Sequence, residues 1–261
     1  MSTEPDWGGW PDGVGRRILT TLDSTNAEAA RIADTLAAPE WILALNQTAA
    51  RGRRGRAWAN PAGNFAATLL MRPAGPPDTV ALRSFVAALA LFDTFVALTG
   101  RTEPFALKWP NDVLLNGGKV AGILLESLGS GAGVRHLAIG IGINLAHAPG
   151  ADEVEAGALR PVALADETGT LVSPADCLAT LAPIYAGWES RFVTYGFAPI
   201  REAWLARAAR LGETITARVG AEAITGTFDT IDTSGALVLT TAKGRHAIPA
   251  AEIYFLSCET R

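Results

Sequence analysis

The spacing of apolar residues changes along the chain, and each change predicts an element. Residues 1–16 set Trp7, Trp10 and Pro11 among glycines and acids with no period, and read as an irregular arm. The apolar run 18–22 predicts a strand. Thr25 and Glu28, three apart, have capping-box spacing and open a helix predicted through Leu36, where Ala and Ile recur at helical intervals. Two further strands are predicted over 41–45 and 65–71. Residues 80–98 are apolar almost all round, as a helix buried against a sheet must be. Short strands follow at 106–109 and 113–115, split by Pro110, and Asn116-Gly117-Gly118 turns the chain into a strand over 119–125, so a hairpin is expected. A glycine-rich turn at 129–133 leads to a strand over 137–145. From 176 to 209 the period is helical, with Leu178, Leu181, Tyr185, Trp188 and Phe192 on one stripe. After Gly212, β-type runs at 214–219, 223–231, 236–241 and 246–248 are separated by glycine turns. The pattern predicts an α+β chain, with a mixed sheet and helices over 1–210 and a small all-β module, a barrel by its size, over 211–261.

With 49% apolar residues, the 261-residue chain can bury a sizeable core. The apolar stretch 85–92 falls well short of the roughly 18 residues of a membrane span. The arm carries Glu4, Asp6 and Asp12, where a signal peptide has a cationic start and an apolar centre. A cytoplasmic location without membrane association is therefore expected. Cys177 and Cys258 have neither metal-ligand spacing nor the density of a disulfide framework. A net charge of −4 argues against a protein that coats nucleic acid. Of only three lysines, Lys108 and Lys119 share one short segment. Either a compact ammonium is wanted there in place of a guanidinium fork, or the clustering is chance.

Chemistry concentrates in three segments. Arg51-Gly52-Arg53-Arg54-Gly55-Arg56 places four guanidinium groups in six residues, with glycines that let backbone approach an anion. Trp58 just beyond can lie against a purine or belong to the core. The arginines alone fit a phosphate lid, a solvated turn or a nucleic-acid contact equally well. Lys108-Trp109-Pro110-Asn111-Asp112 interrupts a strand, and Lys119 opens the next one in apolar surroundings, where an ammonium is costly without an acid partner. Gly140-Ile141-Gly142-Ile143-Asn144 leaves two gaps in a strand, suited to a flat ligand or to ordinary core packing. No P-loop, Rossmann fingerprint or nucleophile elbow is present, and His136, His147 and His246 have no catalytic or metal spacing.

Taken in order, Asp23-Ser24-Thr25-Asn26, Gln47 through Arg56 with Trp58, Lys108 through Asp112 leading into Lys119, and Gly140 through Asn144 resemble the motifs of biotin protein ligases. The resemblance covers most of residues 17–145, and the module after Gly212 is similar to that family's SH3-like C-terminal domain. It implies a catalytic domain like that of class II aminoacyl-tRNA synthetases. It also implies a two-step reaction: biotin and ATP, with Mg²⁺, give biotinyl-adenylate, and a carrier lysine then attacks. A carboxylate attacking a phosphate meets like charge, so cations are needed around the reacting atoms. On the family pattern Ser24, Thr25, Asn26 and Gln47 grip the ureido ring, while Arg51, Gly52 and Arg53 shape the loop over biotin and adenylate. Lys119 binds carboxyl and phosphoryl oxygens and forms the catalytic set with Arg53 and Asp112. Arg54, Arg56, Lys108 and Asn111 join Arg51 and Arg53 in the ATP site, with Trp58 and Asn144 near the adenine. Asp112 is the one candidate for Mg²⁺, or for receiving a proton from the incoming amine.

The partner implied is the biotin carboxyl carrier protein of a carboxylase, acetyl-CoA carboxylase by family habit, with no nucleic acid and a monomeric or homodimeric enzyme. Ala50 stands where the family places a glycine, and a positive φ there would cost about 1 kcal/mol. The arm before Arg17 leaves no room for the winged helix-turn-helix of repressor members, so a ligase without repressor function is expected. The nearest alternative is a lipoate-protein ligase on the same scaffold; a non-catalytic nucleic-acid-binding protein is a more distant one.

Overall fold

The computed structural model describes residues 5–129, 133–150, 154, 159–220, 222–249 and 251–255; Cys258 and part of the turn expected at 129–133 lie outside them. Seven strands build the large sheet: β1 (Gly15–Leu19), β2 (Glu40–Ala44), β3 (Phe65–Met71), β4 (Phe105–Lys108), β5 (Asp112–Leu115), β6 (Gly118–Leu128) and β7 (His136–Ile143). Their order is β1-β2-β3-β7-β6-β5-β4. β1 and β2 run parallel, joined through helix α1 (Thr25–Ile32) and a 3-10 turn at Ala33–Thr35, and all other neighbours are antiparallel.

β1 begins three residues before the apolar run because it is an edge strand: its alternate residues face solvent, and Arg17 pairs with Glu40 at 2.9 Å. The arm before it is packed, with Trp7, Trp10 and Val14 against the core and the Arg16 guanidinium 3.7 Å from the Trp7 ring centroid. The expected capping box is not made. Ser24 is the N-cap residue and makes no side-chain capping bond, Thr25 is already helical, and Glu28 turns to Arg17 and Arg31.

The helix expected over 80–98 is two, α2 (Pro77–Ala81) and α3 (Arg83–Thr99), meeting at Leu82. An 18-residue window within Pro77–Thr99 is apolar enough to cross a membrane, longer than the run read from sequence; 72% of it is buried inside the protein, the mark of a core helix. α4 (Leu164–Thr168) has no counterpart among the predicted elements. α5 (Pro174–Tyr195) starts at Ser173, whose hydroxyl accepts from the Asp176 N–H, and Gly196 separates it from α6 (Phe197–Leu205).

Strand parity divides the large sheet into a structural face and a working face. α3 and α5 cover one side. There β7 contributes Leu137, Ile139, Ile141 and Ile143, and β3 contributes Phe65, Ala67, Leu69 and Met71. The intervening residues point the other way: Ala138, Gly140 and Gly142 of β7, Thr68 and Leu70 of β3, and Gly122, Leu124 and Glu126 of β6. α1 and the 3-10 turn after it cover part of this second face through Ala29 and Ala33 over Ile42, Leu70 and Ala138, and the remainder is the floor of a cavity. Lys108 of β4, Asp112 of β5, Gly122 of β6 and Gly142 of β7 stand opposite one another in a single row.

The smaller sheet is antiparallel, with strands β8 (Thr214–Val219), β9 (Glu222–Ile231), β10 (Leu237–Thr241), β11 (Gly244–Ile248) and β12 (Glu252–Phe255) in the order β11-β10-β9-β8-β12. β12 carries no clear sequence signal, yet it pairs with β8 along its length. Among the described residues no ladder joins β11 to β12. Phe228, Leu237 and Leu239 belong to the same core as the large sheet. The Trp109 indole donates to the Gly235 carbonyl at 3.0 Å, and Gly235 lies against Leu82 and Phe85.

Candidate active site

A cavity of about 470 Å³ opens on the working face, and every residue given a role on the family pattern lines it. Its far wall holds three charged groups in contact. Lys119 Nζ lies 2.6 Å from Asp112 Oδ1, and Lys108 Nζ lies 3.5 Å from Asp112 Oδ2. A β-bulge makes this possible. Val113 faces Ala121 but Leu114 faces Lys119, so Val120 is an extra residue in β6. Strict alternation would turn Lys119 into the helix-packed core; the bulge turns it to the cavity. Burial would raise the Asp112 pKa, but Lys119 and Lys108 outweigh it and hold the carboxyl below the usual range. Burial pulls Lys108 down, with Asp112 opposing. An aspartate held between two ammonium groups is a poor base and a poor cation ligand. Asp112 thus pairs with both lysines of this wall. Among the described residues there is no group of three or more His, Cys, Asp or Glu suited to a metal ion.

The 50–58 segment closes on itself as a small lid, with Gly52 N–H donating to Arg56 O at 2.7 Å and Trp58 N–H to Ala50 O at 3.0 Å. Its four arginines are not equivalent. Arg53 turns inward to Asn111 Oδ1 at 3.3 Å, and burial lowers its pKa against the pull of Asp112. Asn111 is held in turn by the backbone of Ile123, to whose carbonyl its Nδ2 donates at 2.6 Å. Arg51 extends toward Glu126 Oε1, 3.8 Å away. Arg54 and Arg56 both pair with Glu252 of the smaller sheet. Ala50 is not among the positive-φ residues, so the cost expected there does not arise; the left-handed positions are Arg54, at φ 58°, and Gly55.

The two gaps in β7 are filled by the protein itself. A Cβ at Gly142 would lie 2.6 Å from the Trp58 ring, and one at Gly140 2.4 Å from Asn26 Oδ1. Gly122, opposite Gly142, also lies beneath the Trp58 ring. Trp58 therefore packs against a paired-glycine platform, with Lys119 Nζ 5.4 Å from its ring centroid and its indole nitrogen buried without a hydrogen-bond partner among the described residues. Asn144 is 2% exposed, and its side-chain oxygen is also buried without a partner among the described residues.

The opposite end of the cavity is polar and already organised. Gln47 Oε1 accepts from the Thr25 N–H at 2.7 Å and lies 3.2 Å from the Thr25 hydroxyl. The Thr68 hydroxyl lies 2.6 Å from Asn26 Oδ1, and Asn26 Nδ2 donates to Glu126 at 2.6 Å. Ser24 joins them at the start of α1. Sequence reasoning missed Thr68, Glu126 and Glu252. The first two carried a signal, each a polar residue on a β-strand that is otherwise mostly apolar; Glu252 carried none. The histidines stay outside the cavity lining, with His136 buried and accepting from Arg72 at 3.0 Å.

Residues 14–144 match the biotin/lipoate A/B protein ligase family, and residues 211–256 match the biotin protein ligase C-terminal domain. The chain is 58% identical to a biotin--[acetyl-CoA-carboxylase] ligase of Paracoccus denitrificans, over 91% of this chain and 99% of that one. It is 32% identical to the bifunctional ligase/repressor BirA of Bacillus subtilis, over 92% of this chain and 74% of that one. Its fold superposes on the biotin protein ligase of Aquifex aeolicus in complex with biotin and ATP with a TM-score of 0.77, at 25% identity, covering 92% and 97% of the two chains. Sequence, fold and the working face of the sheet agree, and the chain belongs to the biotin protein ligase family.

Proposed function

We propose that this chain joins biotin to ATP as biotinyl-adenylate and passes the biotinyl group to a lysine of the biotin carboxyl carrier protein of a carboxylase. The observation that carries the reading is the single cavity with a polar, prearranged end at Thr25, Asn26 and Gln47 and a cationic end at Lys108, Lys119 and Arg53. A bicyclic urea suits the first end, being a donor and acceptor in one rigid group. A carboxylate meeting a phosphate suits the second, because Lys119 and Arg53 can neutralise charge as it accumulates on the phosphoryl oxygens. In this reading Trp58 and Asn144 receive the adenine, and Arg51 and Gly52 belong to the cover over the intermediate. Asp112 keeps Lys119 extended toward the reacting oxygens. Mg²⁺ would have to arrive on the nucleotide phosphates, since Asp112 is committed to two ammonium groups. We place the catalytic unit, akin to class II aminoacyl-tRNA synthetases, in 1–210, and an SH3-like module in 211–261.

Arginines turned inward or paired with Glu126 and Glu252 do not present a phosphate-tracking surface, which disfavours a nucleic-acid role. Incubation with ATP, Mg²⁺ and biotin is expected to release pyrophosphate and leave a bound biotinyl-adenylate detectable by mass spectrometry. Adenylate formed only with lipoate would overturn the choice of substrate.

A further inference from the structure

We propose that Glu252 is a positioning residue for the lid, and that the smaller sheet takes part in the chemistry by gripping the lid through it. Glu252 opens β12 and reaches 196 residues back along the sequence to Arg56. Its Oε1 lies 2.9 Å from Arg54 and also takes the Arg56 guanidinium, while its Oε2 accepts from the Tyr254 hydroxyl at 3.1 Å. Both oxygens are thus engaged, and the side chain is only 19% exposed, so the carboxylate is held in one place. Burial would raise its pKa, but Arg56 and Tyr254 outweigh this and keep it charged below the usual range.

The grip is transmitted to the cavity through short covalent distances. Arg53 immediately precedes Arg54, and Trp58 follows Arg56 by two residues. The lid is closed by Gly52 to Arg56 and by Trp58 to Ala50, so fixing Arg54 and Arg56 fixes where Arg53 and Trp58 stand. Arg54 also holds a left-handed backbone, at φ 58°, which a non-glycine residue does not adopt at no cost. An outside restraint at that residue offsets the cost. The large sheet supplies the other anchor at Arg51 and Glu126, so the lid is held at both ends by different sheets. The proposal rests on the 50–58 segment covering a biotinyl-adenylate, but the grip itself can be measured without any ligand.

The test uses the full chain with Glu252→Gln, Glu252→Ala and the Arg54→Ala/Arg56→Ala pair, alone and combined. Trypsin cleavage within 51–56, followed by intact mass, is expected to quicken in both Glu252 variants while the unfolding temperature stays close to wild type. Adenylate release is expected to rise roughly tenfold, with transfer from the bound adenylate less affected. In the arginine-free background Glu252→Ala should change adenylate release no further, which a merely structural role in β12 would not produce. Unchanged proteolysis at 51–56 in Glu252→Gln, or an undiminished effect of Glu252→Ala without the two arginines, overturns the proposal. A wild-type protein that makes no adenylate from biotin would overturn the function proposed above, and the proteolysis arm would still decide the grip.

Discussion

Glycine at two positions of β7 does the same job for different neighbours. Gly142 makes room for the Trp58 ring and Gly140 for the Asn26 carboxamide, so each bare α-carbon admits a side chain that faces the ligand cavity. Gly142→Ala would place a methyl group 2.6 Å from the ring, too close to persist. Displacing the ring costs about 1–3 kcal/mol in typical overpacking. The expected outcome is a roughly tenfold higher KM for ATP with the KM for biotin little changed. Steady-state titration of both substrates checks it, and an unaltered KM for ATP would show that Trp58 does not serve the nucleotide. From the sequence these glycines read as core spacers or as a resting place for a flat ligand, with core packing the better reading of the strand taken singly. Which one holds depends on the face they occupy, and parity is visible only once the strand is paired.

Among the elements, β6 shows most clearly what spacing hides. One extra residue, Val120, moves Lys119 from the packed face to the cavity, where it meets Asp112 and, through Asp112, Lys108. From the sequence the clustering of Lys108 and Lys119 was open between a need for ammonium and chance, and the acid between them was a candidate for metal or proton transfer. Asp112→Asn would leave the buried Lys108 ammonium without its acid and facing the partly exposed Lys119, and breaking a buried pair typically costs about 3 kcal/mol or more. The unfolding temperature should fall by roughly 6–12 °C for a chain of this size. The sign with pH follows from the depressed Asp112 pKa. Its contribution is complete above the ordinary carboxylate range and is lost as pH falls through the lower folded value. The gap between wild type and Asp112→Asn should therefore narrow in acid, and melting curves from neutral to acid pH check this; a constant gap would remove the ion pair as its cause. The failed capping box has a similar cause: Thr25 spends its N–H on Gln47, a partner 22 residues away that no local spacing predicts.

At the scale of the whole molecule, the two sheets share one core. Cys177 of α5 lies in it at 0% exposure. Burial, with Asp176 adding to it, pushes its thiol up to about 12. Near neutral pH it should resist iodoacetamide until the chain unfolds globally, so alkylation at this residue, located by peptide mapping, should track urea denaturation. Modification at the rate of the unfolded chain would contradict a common core. The same sharing explains why β12 could not be read from sequence. It is short, only its second residue is fully buried, and it exists as a strand because β8 offers a free edge.

The sequence by itself determined the α+β class, the buried central helix region, most strands to within a few residues, and many of the polar and charged residues that line the cavity. These follow from periodicity, turn chemistry and motif residues, which are local or ordered along the chain. Only the tertiary structure decided which way those residues face and what they touch: Trp58 over the glycine platform, Asp112 between two lysines, and the four loop arginines divided among Asn111, Glu126 and Glu252. Facing depends on register, and a single bulge reverses it. Partnership depends on groups brought together from distant parts of the chain, as Glu252 and Arg56 are across 196 residues, and spacing carries no record of that distance.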